Sequence, residues 1–112
     1  MRIGTWNLEG RWTPAHQEAL ASVDCDVWLL TEVNARTHLP GYHRHLTSAL
    51  MGETKHWAGV VSRHEPTVLA DPHPASAAVV VDDLLWCSSV LPWRTASENP
   101  WGSGDVTERT SR

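Results

Sequence analysis

The sequence predicts an α/β protein built on a mixed sheet with one clear helix. Three observations carry that expectation. Residues 2–8 and 27–31 are β-prone runs on either side of a segment with helical apolar spacing. A strand–helix–strand unit favours a parallel pair with a right-handed crossover. Both runs end in polar residues suited to a site, in Thr5-Trp6-Asn7-Leu8 and Leu29-Leu30-Thr31-Glu32-Val33. Two later runs joined by Asp82-Asp83 read as an antiparallel hairpin. The carboxyl ends of parallel neighbours share one sheet edge, where α/β proteins bind ligands. Asn7 and Glu32 are therefore expected on adjacent strand ends, about 4.8 Å apart from strand to strand.

The first strand, residues 2–8, reads as short and buried. Gly10 turns the chain after it. Thr13 is suited to cap a helix and Pro14 to open it. Ala15, Ala19, Leu20 and Val23 then recur at helical spacing, which predicts a helix to about residue 23 with one apolar stripe. Val27-Trp28-Leu29-Leu30-Thr31 is continuously β-prone, as in a strand covered on both faces. Residues 34–41 read as loop. His43 and His45 alternate with Arg44 and Leu46, a weak strand. Residues 57–62 read as a strand whose Gly59 permits close backbone approach. Residues 68–70 form a short strand at most. Residues 76–81 and 84–91 are the hairpin. From residue 93 onward no periodic apolar face continues, so a domain is expected over residues 1–95 and a loop or disordered tail over 96–112.

Composition narrows the function classes. A chain of 112 residues suits one small domain. Its net charge of −4 gives no long-range attraction to nucleic acid, so nucleic acid is not favoured as a partner. Seven Trp with no Phe puts several large amphipathic rings at rims or interfaces. Cys25 and Cys87 lack metal spacing and read as reduced core thiols of a cytoplasmic protein. No stretch has the roughly 18 apolar residues of a membrane span, and no secretory leader is expected.

With those residues in view, the chain resembles the opening of the endonuclease/exonuclease/phosphatase superfamily, the fold of deoxyribonuclease I. The resemblance rests on Thr5-Trp6-Asn7-Leu8, the helix, and Asp26-Val27-Trp28-Leu29-Leu30-Thr31-Glu32-Val33, where the family's second strand ends in Gln-Glu-Val. Gly59-Val60-Val61-Ser62-Arg63 is similar to the next core strand, and residues 76–91 to the following hairpin. It covers about residues 1–95. It implies the N-terminal half of a four-layer α/β sandwich that cleaves phosphoesters with Mg²⁺ or Mn²⁺. By residue, it implies Glu32 as the metal-binding glutamate and Asn7 as the asparagine beside metal and phosphate. A cation that takes one or two carboxylates and keeps its waters suits that pair, though weakly.

The departures are specific. Ser89-Val90-Leu91-Pro92 lacks the family's His before Leu. Gly104-Asp105-Val106-Thr107 matches only the first half of Gly-Asp-x-Asn, and no Asp-His dyad follows. The expectation is a truncated phosphoesterase domain, weak or inactive alone, acting on a phosphoester of unknown size. The alternatives are a non-catalytic binding or assembly protein that retains half the fold, and a truncated product without selected function. His43 and His45 alternate as ligands can, but on a polar strand solvation accounts for them; His64 and His73 lie in loops, and Arg94 in a loop that a phosphate could reach. Finally, Ile3, Trp28, Leu30, Val60, Val79, Val81, Leu85 and Val90 exceed what one helix covers. That surplus predicts a homodimer with sheets face to face, or a chain that complements the fold.

Overall fold

The computed structural model describes residues 1–90. Within them the chain forms seven strands in two sheets and one helix. The first strand, β1 (Ile3–Asn7), leads into α1 (Pro14–Val23) and then β2 (Val27–Asn34). β3 (His43–Leu46) and β4 (Lys55–Ser62) complete the first sheet, in the order β1-β2-β4-β3. β5 (Thr67–Val68), β6 (Ser76–Val81) and β7 (Leu84–Ser89) make the second sheet in that order. β1 and β2 are parallel, with Asn7 opposite Thr31. The other pairs are antiparallel, so the first sheet is mixed as expected.

The helix starts where its chemistry says. Thr13 caps it and Pro14 occupies the first turn. The cap is reciprocal: the Thr13 hydroxyl accepts from the His16 main-chain N–H, and Thr13 N–H donates to His16 Nδ1 at 3.3 Å. His16 thus takes the part a Glu or Gln plays in a capping box. The expected four-residue stripe is narrower than predicted. Only Leu20 is buried, while Ala15 and Val23 are exposed, because the helix rests on the sheet through one turn.

Two apolar clusters sit on opposite faces of the first sheet. Leu8, Leu20, Cys25, Trp28, Leu30, Val33, Leu39 and Val61 pack on the helix side. Val27, Ala58, Val60, Ala77, Val79 and Val81 pack between the sheets. β2 is therefore covered on both faces. Gly59 permits the β3–β4 approach: a Cβ there would meet Leu46 Cδ2 at 2.6 Å and the His45 carbonyl at 3.2 Å. Asp82 and Asp83 both have positive φ, 52° and 62°, the backbone of a type I′ hairpin turn.

Part of the surplus apolar surface is covered within the chain, where β6 and β7 stack on the first sheet and Val79 and Val81 join Val27 and Val60, while Ile3 and Leu85 stay exposed. Two expectations are corrected, on β1 and on Cys87. β1 is exposed rather than buried, because it is an edge strand and the second sheet stops short of it. Cys87 is exposed and only Cys25 is a core thiol; both are free. The tail expected over 96–112, Arg94, Gly104 and Asp105 lie outside the described residues, as does the end of the hairpin run at Leu91.

Candidate functional site

The parallel pair places Asn7 and Glu32 at the carboxyl ends of adjacent strands. Asn7 stands opposite Thr31, one residue before Glu32. The sheet continues as a loose lattice past the strand ends: Leu8 N–H donates to the Thr31 carbonyl at 3.0 Å, and Gly10 N–H to the Glu32 carbonyl at 2.7 Å. The two predicted residues thus share one rigid edge.

Glu32 is held in an unusual backbone state. Its φ is +51°, a left-handed conformation that disfavours any residue with a Cβ. The consequence is visible in the packing. Along a regular strand Leu30 and Val33 would face opposite sides, yet both belong to the helix-side cluster. The twist at Glu32 resets the alternation between them. Non-glycine residues in this region collect at functional sites. The Glu32 carboxylate is half-buried and has no hydrogen bond or ion pair among the described residues.

Asn7 is fixed by its own turn. Its Oδ1 accepts from Glu9 N–H at 2.9 Å, an Asx turn of the kind Asn favours. The oxygen is thereby engaged, and the side-chain NH₂ remains to donate outward. Asn7, with Thr5, Trp6, Leu29, Thr31, Cys87, Ser88 and Ser89, lines an open cleft of about 420 Å³ between the first sheet and β7. Glu32 is not among those lining residues.

Two neighbours were invisible as site residues in the sequence. Asn34, which reads there as the start of a loop, is buried. Its Nδ2 donates to the Gly10 carbonyl at 3.0 Å and its Oδ1 accepts from Arg36 N–H at 2.9 Å, so it locks the turn after β1 to the end of β2. Lys55 reads as a turn residue, but it opens β4 opposite Asn34. Its stem lies on Gly10, where a Cβ would meet Lys55 Cε at 2.6 Å. Gly10 also has φ +73°, so a side chain there would be strained and would displace the end of Lys55. The stem of a flexible cationic side chain thus lies on the turn that follows Asn7. The only sequence signal for Asn34 is a polar group at the end of an apolar run, and Lys55, in Gly52-Glu53-Thr54-Lys55, carries none.

The histidines are engaged elsewhere. His45 Nε2 lies 3.1 Å from Asp71 Oδ1, His56 Nδ1 bonds the Thr47 carbonyl at 2.5 Å, and His64 Nδ1 lies 2.8 Å from Asp82 Oδ2. His43 is exposed on β3, and His73 Nδ1 accepts from Ala75 N–H. Among the described residues no three His, Cys, Asp or Glu side chains gather as a metal cage. The five described Trp behave as amphipathic packing groups. Trp28 and Trp57 are buried, and Trp6 stacks on His16 with centroids 5.3 Å apart.

At the opposite end of β2 lies a charged clasp. Arg63 bonds Asp24 Oδ1 at 2.6 Å and Asp26 Oδ1 at 3.2 Å, and its guanidinium sits 5.0 Å over the Tyr42 ring. Asp26 also accepts from Arg2 N–H at 2.8 Å. That main-chain hydrogen bond, with Arg63, holds the Asp26 carboxyl below the usual carboxylate range. Burial pushes the Cys25 thiol and the Tyr42 hydroxyl up. The clasp anchors the fold at the edge remote from Glu32.

No family model, curated protein or solved structure matches this chain.

Proposed function

We propose that the chain is a phosphoester-binding domain of the endonuclease/exonuclease/phosphatase type, centred on Glu32 and Asn7 and working with Mg²⁺ or Mn²⁺. The observation that carries this reading is Glu32 itself. The left-handed backbone of Glu32 serves the packing of Leu30 and Val33, but its carboxylate, one register step from Asn7, has no structural partner among the described residues. One carboxylate with an adjacent amide fits a hydrated hard cation, which takes few protein ligands. Such a cation, when bound, supplies charge neutralisation at the phosphoryl group and a more acidic water.

The chain's own groups divide the remaining work. Glu32 holds the cation. The Asn7 NH₂ donates to a phosphoryl oxygen, its orientation set by Glu9 N–H. Lys55 adds positive charge at the same edge, as a mobile point charge suited to phosphate. Asn34 positions Gly10 and the Glu32 segment. No base is identified beside Asn7 and Glu32 among the described residues, so the expected turnover of the chain is at trace level; a catalytic unit without one of its members keeps little of its rate enhancement. In the four-layer sandwich of this reading, the fourth layer belongs on the outer face of the second sheet, at Ala78, Val80 and Leu85.

The test is calorimetric titration of Mn²⁺ and then of inorganic phosphate, with hydrolysis of a generic phosphodiester read in parallel. The proposal expects millimolar cation binding, phosphate binding that depends on the cation, and loss of both in Glu32→Gln. Binding unchanged by Glu32→Gln would overturn it. A second reading, a non-catalytic assembly protein, is favoured by the open face of β1, which the second sheet leaves uncovered.

A further inference from the structure

We propose that the turn at residues 34–37 is a diphosphate-binding site, formed by the guanidinium groups of Arg36 and Arg44. This goes beyond the phosphoester reading and needs neither Glu32 nor a cation.

The turn is fixed from inside. Its end residues, Asn34 and Thr37, are buried. The Asn34 carbonyl accepts from Thr37 N–H at 2.9 Å, and Ala35 N–H donates to the Thr54 carbonyl at 2.7 Å. The Asn34 side chain bonds Gly10 on one side and the Arg36 main chain on the other. Ala35 and Arg36 are thereby presented to solvent on a rigid frame.

Two guanidinium groups are tied to that frame. Arg36 folds back on it, with Nε donating to Asn34 Oδ1 at 3.4 Å. Arg44 reaches in from β3, and its Nη1 donates to the Ala35 carbonyl at 2.8 Å and to the Thr37 carbonyl at 2.5 Å. These bonds leave most of each group unspent, since a guanidinium carries five N–H donors. Arg36 keeps its Nη1 and Nη2 end, and Arg44 keeps its Nε and Nη2 side. Each therefore retains one complete two-donor fork. Such a fork meets the oxygens of a phosphate or carboxylate in parallel.

Neither fork has a counter-charge. Arg63 is spent on Asp24 and Asp26. Arg36 and Arg44 are exposed and make no ion pair among the described residues, and Lys55, opposite Asn34, makes none. Glu53, next to Thr54 in sequence, and Glu32, two residues before Asn34, do not pair with them either. Two like charges held on one turn repel each other. A bound anion removes that repulsion, so the turn is organised for a ligand of opposite sign.

The pair of forks selects the ligand. One carboxylate or one phosphate fills one fork. Two joined phosphoryl groups fill both and bring more than one negative charge to two cations. The net charge of −4 works against a long polyanion such as nucleic acid. The fitting ligand is a small molecule that carries a diphosphate group.

The experiment is calorimetric titration of pyrophosphate into the full chain in chelator-treated, metal-free buffer. With no cation present, its outcome is separate from that of the Glu32 site. The proposal expects one site, with inorganic phosphate about tenfold weaker because it fills a single fork, and with no binding of succinate. Arg36→Ala should weaken pyrophosphate about tenfold with an unchanged urea midpoint, because the Arg36 side chain bonds only Asn34. Arg44→Lys still offers donors to the Ala35 and Thr37 carbonyls but has no fork, and should weaken binding about fivefold. No binding of pyrophosphate, full affinity in Arg36→Ala and Arg44→Lys, or equal binding of succinate would overturn the proposal. A single-stranded oligothymidylate that binds more tightly than pyrophosphate, and is lost in Arg36→Ala, would also overturn it in favour of nucleic acid.

Discussion

Leu30 and Val33 face the same core although three positions separate them on one strand, and Glu32 between them carries the left-handed backbone that allows it. The conflict between local preference and packing is therefore concentrated in a single residue. Glycine tolerates that conformation without a Cβ clash. Glu32→Gly relieves about 1–2 kcal/mol of left-handed strain against about 0.5–1 kcal/mol of added unfolded-chain entropy, so it should raise stability modestly while removing the proposed cation binding. Urea denaturation measures the first and calorimetry the second. A destabilised Glu32→Gly would show that the carboxylate serves the fold.

The clasp at the other end of β2 predicts a pH dependence. Asp26 has a folded pKa below its ordinary value, chiefly through the Arg2 N–H and then Arg63. A depressed carboxyl contributes stability that is present above the unfolded pKa, about 3.9, and lost as pH falls through the folded value. The urea midpoint of the wild type should therefore drop across the acid limb below about pH 4. Asp26→Asn should lower the midpoint at neutral pH and converge with the wild type in acid. Parallel curves at all pH values would contradict the assignment.

The thiols report on the two environments directly. Cys87 is exposed on β7, and Cys25 is buried with its thiol pKa raised by that burial. A thiol reagent at mild alkaline pH should label Cys87 quickly and Cys25 only after denaturant is added, since the thiolate is the reactive form. Rapid labelling of both in the native chain would contradict the packing of Cys25 among Leu20, Trp28 and Leu30.

The sheet-to-sheet bond is also testable. Ser88→Ala removes the hydroxyl that donates to Leu30 across the core. A loss of about 1 kcal/mol is expected, with Mn²⁺ binding unchanged. The denaturation midpoint checks the first part and titration the second.

Much of this arrangement was legible in the sequence because it is local. Thr13-Pro14 set the start of the helix, and the β-prone run from Val27 set the central strand. Asp82-Asp83 set the hairpin turn through the readiness of Asp to adopt positive φ. The adjacency of Asn7 and Glu32 followed from the handedness of one crossover. What escaped was non-local. That β6 and β7 form a separate sheet depends on how Val79 and Val81 meet Val27 and Val60, which no periodicity records. The exposure of β1 depends on where that second sheet stops. Lys55 and Asn34 join the site only because β4 runs antiparallel to β2 and lays Lys55 on Gly10.

A Lys55 variant separates the proposed phosphate binding from the proposed cation binding. Lys55→Ala should weaken cation-dependent phosphate binding severalfold and leave the cation affinity unchanged, because the ammonium is a partner for anions only. Phosphate titration with Mn²⁺ at saturation measures it. An unchanged phosphate affinity would remove Lys55 from the site.

The central claim is that Glu32 is kept in a strained backbone to hold a divalent cation beside Asn7. Calorimetric titration of Mn²⁺ into the wild type and Glu32→Gln at matched pH tests it most directly. The account predicts a single weak site in the wild type, in the millimolar range, and none in Glu32→Gln. A site of equal affinity in both proteins would place the metal elsewhere and contradict the account.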